Sequence, residues 1–269
     1  MSSLPIGLFD SGFGGLTVLR ALMKELPYEQ FLYLADSQRV PYGALPPAKI
    51  LQYSLECARF LVQKQIKLLV VACNTASAYA IQALQMAFDI PVIGVIEATI
   101  EKACLSQKDR FALLATEATI QSKIYDKKFM ALFPKAKLTS LACPSFVSLI
   151  EKGLLHHPFT ELVVKNHLQK LRLKEIDALL LGCTHYSFLK PLIQKQLSSS
   201  VALIDSAICC SEIVKKAVVE YDLFTPQKEP TCPRFYVSGS PDPFQKLGQQ
   251  LLNRKIEKVE QVLLTSLKD

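Results

Sequence analysis

The sequence predicts an α/β protein of mostly parallel sheets flanked by helices, and two observations carry that prediction. Short apolar segments alternate along the chain with amphipathic stretches of helical period, the order in which crossover helices join parallel strands. The chain also echoes itself. Residues 67–76 read Lys-Leu-Leu-Val-Val-Ala-Cys-Asn-Thr-Ala, and residues 177–186 read Asp-Ala-Leu-Leu-Leu-Gly-Cys-Thr-His-Tyr. Each is an apolar strand, a small residue and a cysteine followed closely by threonine. A second echo pairs Phe9-Asp10-Ser11 with Ile204-Asp205-Ser206. Two similar halves would explain both echoes, although segments this short also recur by chance.

In chain order, strands are predicted at Pro5–Phe9, Gln30–Ala35, Leu68–Ala72, Pro91–Ile96, Phe111–Ala115, Leu138–Ala142, Ala178–Leu181, Val201–Ile204 and Phe235–Val237. Helices fall between them. In the first, Leu19, Leu22, Met23 and Leu26 form one apolar stripe, and in the second Leu51, Leu55, Ala58 and Val62 do the same. Pro27 and Pro91 punctuate helix ends.

Bulk properties narrow the function. A chain of 269 residues, half of them apolar, can fill a large core or two smaller ones. No apolar run approaches the roughly 18 residues that span a bilayer, and Met1–Pro5 lacks the basic and apolar regions of a signal peptide. A cytoplasmic protein with no membrane partner is expected. The net charge is +7. Its lysine clusters at 123–128 and 165–174 fall on predicted helices without interleaved aromatics, so they read as solvated faces and no nucleic-acid partner is expected. A mildly basic surface would suit an anionic small-molecule substrate. The eight cysteines are scattered, none in Cys-x-x-Cys, and most should be small buried hydrophobes. No metal site is expected, because His156, His157 and His167 have no partnering spacing with the cysteines.

The candidate chemistry lies at strand ends, where open α/β sheets bind ligands. Cys73 and Cys183 should both sit there, each ahead of a helix whose N–H groups and dipole favour a thiolate, the form that acts as base or nucleophile. Either cysteine alone reads more simply as structural; two in matched settings read as a reactive pair. The same N–H groups, with Asn74, Thr75 and Thr184, can hold a carboxylate. His185, two residues after Cys183, is placed to set that thiol's protonation.

Asp10-Ser11-Gly12-Phe13-Gly14-Gly15 is a glycine-rich turn, with Asp36 at the distance of a ribose-binding acid. A dinucleotide loop is disfavoured, because Thr17 replaces the third glycine and Asp10 would repel a pyrophosphate. Asp10 either assists a thiol or binds an ammonium group, or simply caps the next helix. The glycines would let backbone approach the ligand. Pro41-Tyr42-Gly43 is a turn, Cys143-Pro144-Ser145-Phe146 is ambiguous, and Glu151 by itself reads as a solvated helix residue.

Taken together, Asp10–Val18, Pro41-Tyr42-Gly43, Ala72–Ala76 and Gly182–Tyr186 resemble the glutamate racemases, cofactor-independent enzymes that supply D-glutamate for peptidoglycan. Weaker matching segments are Gly94–Glu97, the Thr116/Thr119/Ser122/Tyr125 pattern, Cys143–Val147 and Phe235–Gly239. They occur in family order over nearly the whole chain. The resemblance implies two pseudo-symmetric α/β domains with the active site between them, residues 1–97 plus 207–269 and residues 98–206. It implies no cofactor, glutamate as substrate, and a cytoplasmic enzyme that could form a homodimer. Cys73 would serve D-glutamate and Cys183 L-glutamate as opposed bases. Asp10 would assist Cys73; His185 would assist Cys183, with Glu151 as a further helper. Ser11, Pro41, Tyr42, Gly43, Asn74, Thr75, Thr119 and Thr184 would hold substrate, alongside Asp10 and His185. Departures are Ala98 and Ser148, where proline is common, and Ser187-Phe188, where Pro-Leu commonly follows. They bear on pocket shape, regulation and rate. Aspartate- and hydantoin-type relatives usually carry an acidic residue at the position of His185, so His185 points to glutamate over aspartate. A catalytically silent binding protein on the same scaffold is the alternative of a different class.

Overall fold

The computed structural model describes residues 3–171 and 173–264. Its first part runs β1 (Ile6–Asp10), α1 (Leu16–Glu25), β2 (Phe31–Ala35), α2 (Pro47–Gln63), β3 (Leu68–Val71), α3 (Asn74–Ala87), β4 (Val92–Gly94) and α4 (Val95–Leu105). The middle part runs β5 (Arg110–Ala115), α5 (Glu117–Gln121), α6 (Ile124–Leu132), β6 (Lys137–Ala142), α7 (Pro144–Glu151), α8 (Pro158–Leu168), β7 (Ala178–Gly182), α9 (Lys190–Gln194) and β8 (Ala202–Asp205). The chain then continues through α10 (Ser206–Glu220), β9 (Arg234–Val237), α11 (Pro241–Leu252) and β10 (Val259–Gln261).

Two sheets result. One has the order β10-β9-β2-β1-β3-β4 and the other β6-β5-β7-β8. Every ladder is parallel. The central strands β1, β3 and β7 are buried along their whole length, as strands covered by helices on both faces must be. Alternation then divides the core. Leu68 and Val70 join a cluster continuous with the four-stranded sheet, while Leu69 and Val71 pack beneath α2 and α3.

The order β2-β1-β3-β4 matches β6-β5-β7-β8, so β3 and β7 occupy equivalent places and the cysteine echo is topological. The second echo is not. Asp10 ends β1, whereas Asp205 ends β8, the equivalent of β4. Both aspartates accept the N–H two residues on, from Gly12 and Ala207, so the likeness is local turn chemistry.

Other expectations shift in detail. The strand from Pro91 stops at Gly94, and Val95 opens α4 with its N–H donated to Ser77 Oγ at 3.3 Å. On α2 the fully buried stripe is Ile50, Ser54, Cys57, Ala58 and Leu61; Leu51, Leu55 and Val62 pack only at the core margin. The short edge strand β10, Val259-Glu260-Gln261, lacks an apolar pattern and escaped prediction. Six of the eight cysteines are buried. Lys123, Lys127, Lys165 and Lys170 are exposed; Arg172 and the Lys174 side chain lie outside the described residues. No helix among the described residues is long and apolar enough to cross a membrane.

Candidate active site

β3 ends at Val71, and one residue beyond Ala72, Cys73 takes an extended backbone as the N-cap of α3. Its sulfur accepts the Ala76 N–H at 3.5 Å and lies 3.8 Å from Ser11 Oγ. Cys183 occupies the same place after β7 but begins a 3₁₀ turn, Thr184–Leu189, instead of a long helix. Pro191 near the start of α9 lacks the N–H that would continue an α ladder back to Ser187. The expected helix dipole is therefore replaced at Cys183 by a side chain: His185 Nδ1 lies 3.8 Å from its sulfur.

Both thiols are almost covered, at 5% and 6% exposure. Burial, reinforced by the charge of Asp10, pushes the Cys73 thiol well above its ordinary pKa and outweighs the Ala76 and Ser11 hydrogen bonds. The thiolate-favouring effect of a helix start is thus reversed at Cys73 in this closed arrangement, since desolvation penalises the anion. Charge on Cys183 raises Cys73 further, so the two sulfurs share one electrostatic environment.

The glycine-rich turn meets the opposite half. A Cβ on Gly14 would collide with His185 Nδ1 and stand 2.6 Å from Thr184 Oγ1, and one on Gly12 would collide with Glu151 Oε1. These glycines admit the other half's side chains, where close approach of backbone to ligand was expected. Thr17, at the place of the missing third glycine, donates to the carbonyls of Gly14 at 2.7 Å and Thr184 at 3.1 Å. Asp36 is engaged by Arg39, Tyr42 and Ser238. Nothing is left of a dinucleotide loop.

Asp10 is fully buried, accepts the Gly12 N–H at 2.8 Å and lies 3.5 Å from Thr184 Oγ1. Burial raises its carboxyl above the ordinary value, partly offset by His185. Glu151 is no solvated helix residue. Its Oε1 lies 2.6 Å from His185 Nε2 and accepts the Phe13 N–H at 3.1 Å. Burial would lower the His185 pKa, but hydrogen bonds to Cys183 and Glu151 prevail and raise it well above the ordinary imidazole value.

A hydroxyl cluster lies at the start of α3 and α5. Thr75 Oγ1 is 2.9 Å from Thr116 Oγ1 and 3.3 Å from Thr119 Oγ1. Thr116 also caps α5, and a Cβ on Gly43 would stand 2.7 Å from Thr116 Cβ, so Gly43 rests on this cluster. Thr116 and Thr17 were not singled out as site residues; the helix-start position of Thr116 was the available signal. Two expected substrate contacts have other partners. Asn74 donates to Tyr125 at 3.1 Å and lies 3.5 Å from Ser206 Oγ, while the Tyr42 hydroxyl bonds Asp36. Pro41 precedes Tyr42 with a cis bond to Val40. Among the described residues, no three His, Cys, Asp or Glu side chains are gathered as for a metal.

Two thiols, one beside a carboxyl and one beside an imidazole–carboxylate pair, are groups able to take and return protons. A model of the Asp/Glu/Hydantoin racemase family matches residues 16–212, a span that includes both cysteines. The chain belongs to that family. Among its racemase relatives, glutamate racemase of Geobacter metallireducens is 42% identical, with 98% of each chain covered. Glutamate racemase isoform RacE1 of Bacillus anthracis superposes with a TM-score of 0.92 at 34% identity, over 98% of this chain and 99% of that one. The Francisella tularensis glutamate racemase, solved with D-glutamate, gives 0.91 at 37% identity, over 99% and 100%.

Proposed function

We propose that this chain interconverts L- and D-glutamate, supplying D-glutamate for peptidoglycan, by a two-thiol proton transfer without cofactor. One observation carries the reading: Cys73 and Cys183 close equivalent strands of two sheets and are electrostatically coupled.

For L-glutamate, Cys183 as thiolate removes the α-proton, and the electron pair passes into the carboxylate as an enediolate. Cys73 as neutral thiol then protonates the opposite face. For D-glutamate the roles reverse. Burial keeps Cys73 neutral, the form that returns a proton, while the His185 ring lies against the Cys183 sulfur, in reach to exchange a proton with it. Asp10 assists Cys73, and Glu151 assists His185. The weak acidity of an α-carbon is met by fixed donors aimed at the growing negative charge. The N–H groups at the start of α3 and the hydroxyls of Ser11, Thr75, Thr116, Thr119 and Thr184 supply them. Gly43 lends its backbone, and Pro41, Tyr42 and Asn74 complete the set that holds substrate.

Residues 1–97 plus 207–269 form one domain in this reading and 98–206 the other. Substrate reaches the covered thiols when these part, breaking the Phe13–Glu151 and Thr17–Thr184 bonds. Eight unpaired thiols suit a reducing cytoplasm. A homodimer stays part of the reading, and light scattering on the purified chain decides it.

Incubation of each glutamate enantiomer in deuterated water tests the chemistry. Deuterium should enter Cα as optical rotation decays from both sides. Racemisation without exchange, or faster turnover of aspartate than glutamate, would overturn the reading.

A further inference from the structure

Cys183 and His185 ride on a 3₁₀ turn, whose hydrogen bonds are poorer than those of an α-helix and which seldom runs far. Left to itself, such a turn would not hold two reacting groups to the tolerance that proton transfer needs. Two buried hydroxyls supply what its backbone lacks. Thr17, on the first turn of α1, donates to the Thr184 carbonyl and ties the turn's first residue to the opposite half. Ser187, the turn's fourth residue, donates to Asp205 Oδ1 at 2.6 Å. That same oxygen accepts the Ala207 N–H at 3.1 Å and so caps α10. The turn is thereby fastened at its first and fourth residues to two helix starts. A hydroxyl bonded to a carboxylate makes one of the stronger neutral-donor bonds, and all three side chains are buried.

We propose that Thr17 and Ser187 are positioning residues that clamp the Cys183–His185 turn, a reading that rests on the two-thiol reaction above. Neither hydroxyl needs to touch substrate. Each acts by holding the Cys183 sulfur and the His185 ring in register with the reacting carbon.

Thr17→Val and Ser187→Ala remove the donors with little change in volume. Misplacement of a reacting group costs on the order of 10²-fold in rate, so kcat should fall about 10- to 100-fold in either variant, with KM little changed. Thr17→Ser and Ser187→Thr keep the hydroxyl and should restore most of the rate. Mass-spectrometric alkylation supplies a readout independent of activity: the ratio of Cys183 to Cys73 labelling should change in Thr17→Val and Ser187→Ala and return in the hydroxyl-bearing variants. An unchanged kcat would overturn the proposal, as would no restoration by Ser or Thr, or equal change at both thiols, the mark of general loosening. If Ser187→Ala does not fold, Asp205→Asn keeps the helix cap while weakening the acceptor; it should lower kcat severalfold, and an unaltered kcat there sinks the idea. Should the wild-type chain fail to exchange the α-hydrogen, the racemase reading fails while the labelling ratio still reports on the turn.

Discussion

Glu151 Oε1 stands 2.6 Å from His185 Nε2, and the same oxygen takes the Phe13 N–H of the opposite half at 3.1 Å. A single carboxylate oxygen therefore contacts both the His185 ring and the backbone of the glycine-rich turn. Its position gives the pH behaviour a definite sign.

Because Glu151 is one of the groups that raise the His185 pKa, Glu151→Gln should let the imidazolium deprotonate at lower pH. The alkaline limb of the kcat–pH profile should therefore move downward. Stability follows the same linkage. A histidine whose folded pKa exceeds its unfolded value stabilises fully below about pH 6.5, and that contribution fades as pH rises through the folded pKa. Thermal melts of wild type and Glu151→Gln should differ most near pH 6 and converge on the alkaline side. A limb that does not move would remove Glu151 from the assignment.

Cys73→Ser and Cys183→Ser should each lower racemisation by about 10³-fold or more, since a serine hydroxyl cannot replace the thiol as a proton-transfer group. Circular dichroism of either enantiomer follows the rate. Near-normal turnover in one variant would contradict the two-base scheme.

Gly14→Ala places a methyl group against His185 and Thr184. Overpacking of this kind costs about 1–3 kcal/mol, read from a denaturant midpoint. Activity should drop more than stability implies, because the displaced groups flank Cys183.

Lys67 and Glu29 form a buried ion pair at 2.6 Å, 2% and 3% exposed, remote from the thiols, and Glu29 also accepts the Thr225 N–H. Lys67→Met leaves that carboxylate buried without its cation, a change worth about 3–5 kcal/mol. Chemical unfolding should register the loss, whereas kcat per folded molecule stays as in wild type. A stability change below about 1 kcal/mol would show that the pair is not the anchor its burial suggests.

The pattern of apolar residues was enough to place nine of the ten strands among the described residues and to set both cysteines at strand ends, because periodicity records which face of an element is buried. It was silent on β10, a three-residue edge strand of Val-Glu-Gln with no alternation to read. It also misjudged Glu151, whose helix position looks solvated until the glycine-rich turn 138 residues away arrives above it. The turn's glycines were legible as a demand for close approach, but not what approaches. Thr17 and Ser187 stood out in the sequence only as residues where others are usual, with nothing to show what their hydroxyls bond.

The sequence by itself thus determined the α/β class and set Cys73 and Cys183 at strand ends, with His185 two residues beyond the second, all of them matters of local pattern and short spacing. Only the tertiary structure decided that Cys183 stands on a 3₁₀ turn held by side chains, that burial keeps Cys73 protonated, and that Glu151 joins the halves. Those are properties of desolvation and of contact between segments far apart in the chain, and neither is written in the period of a single element.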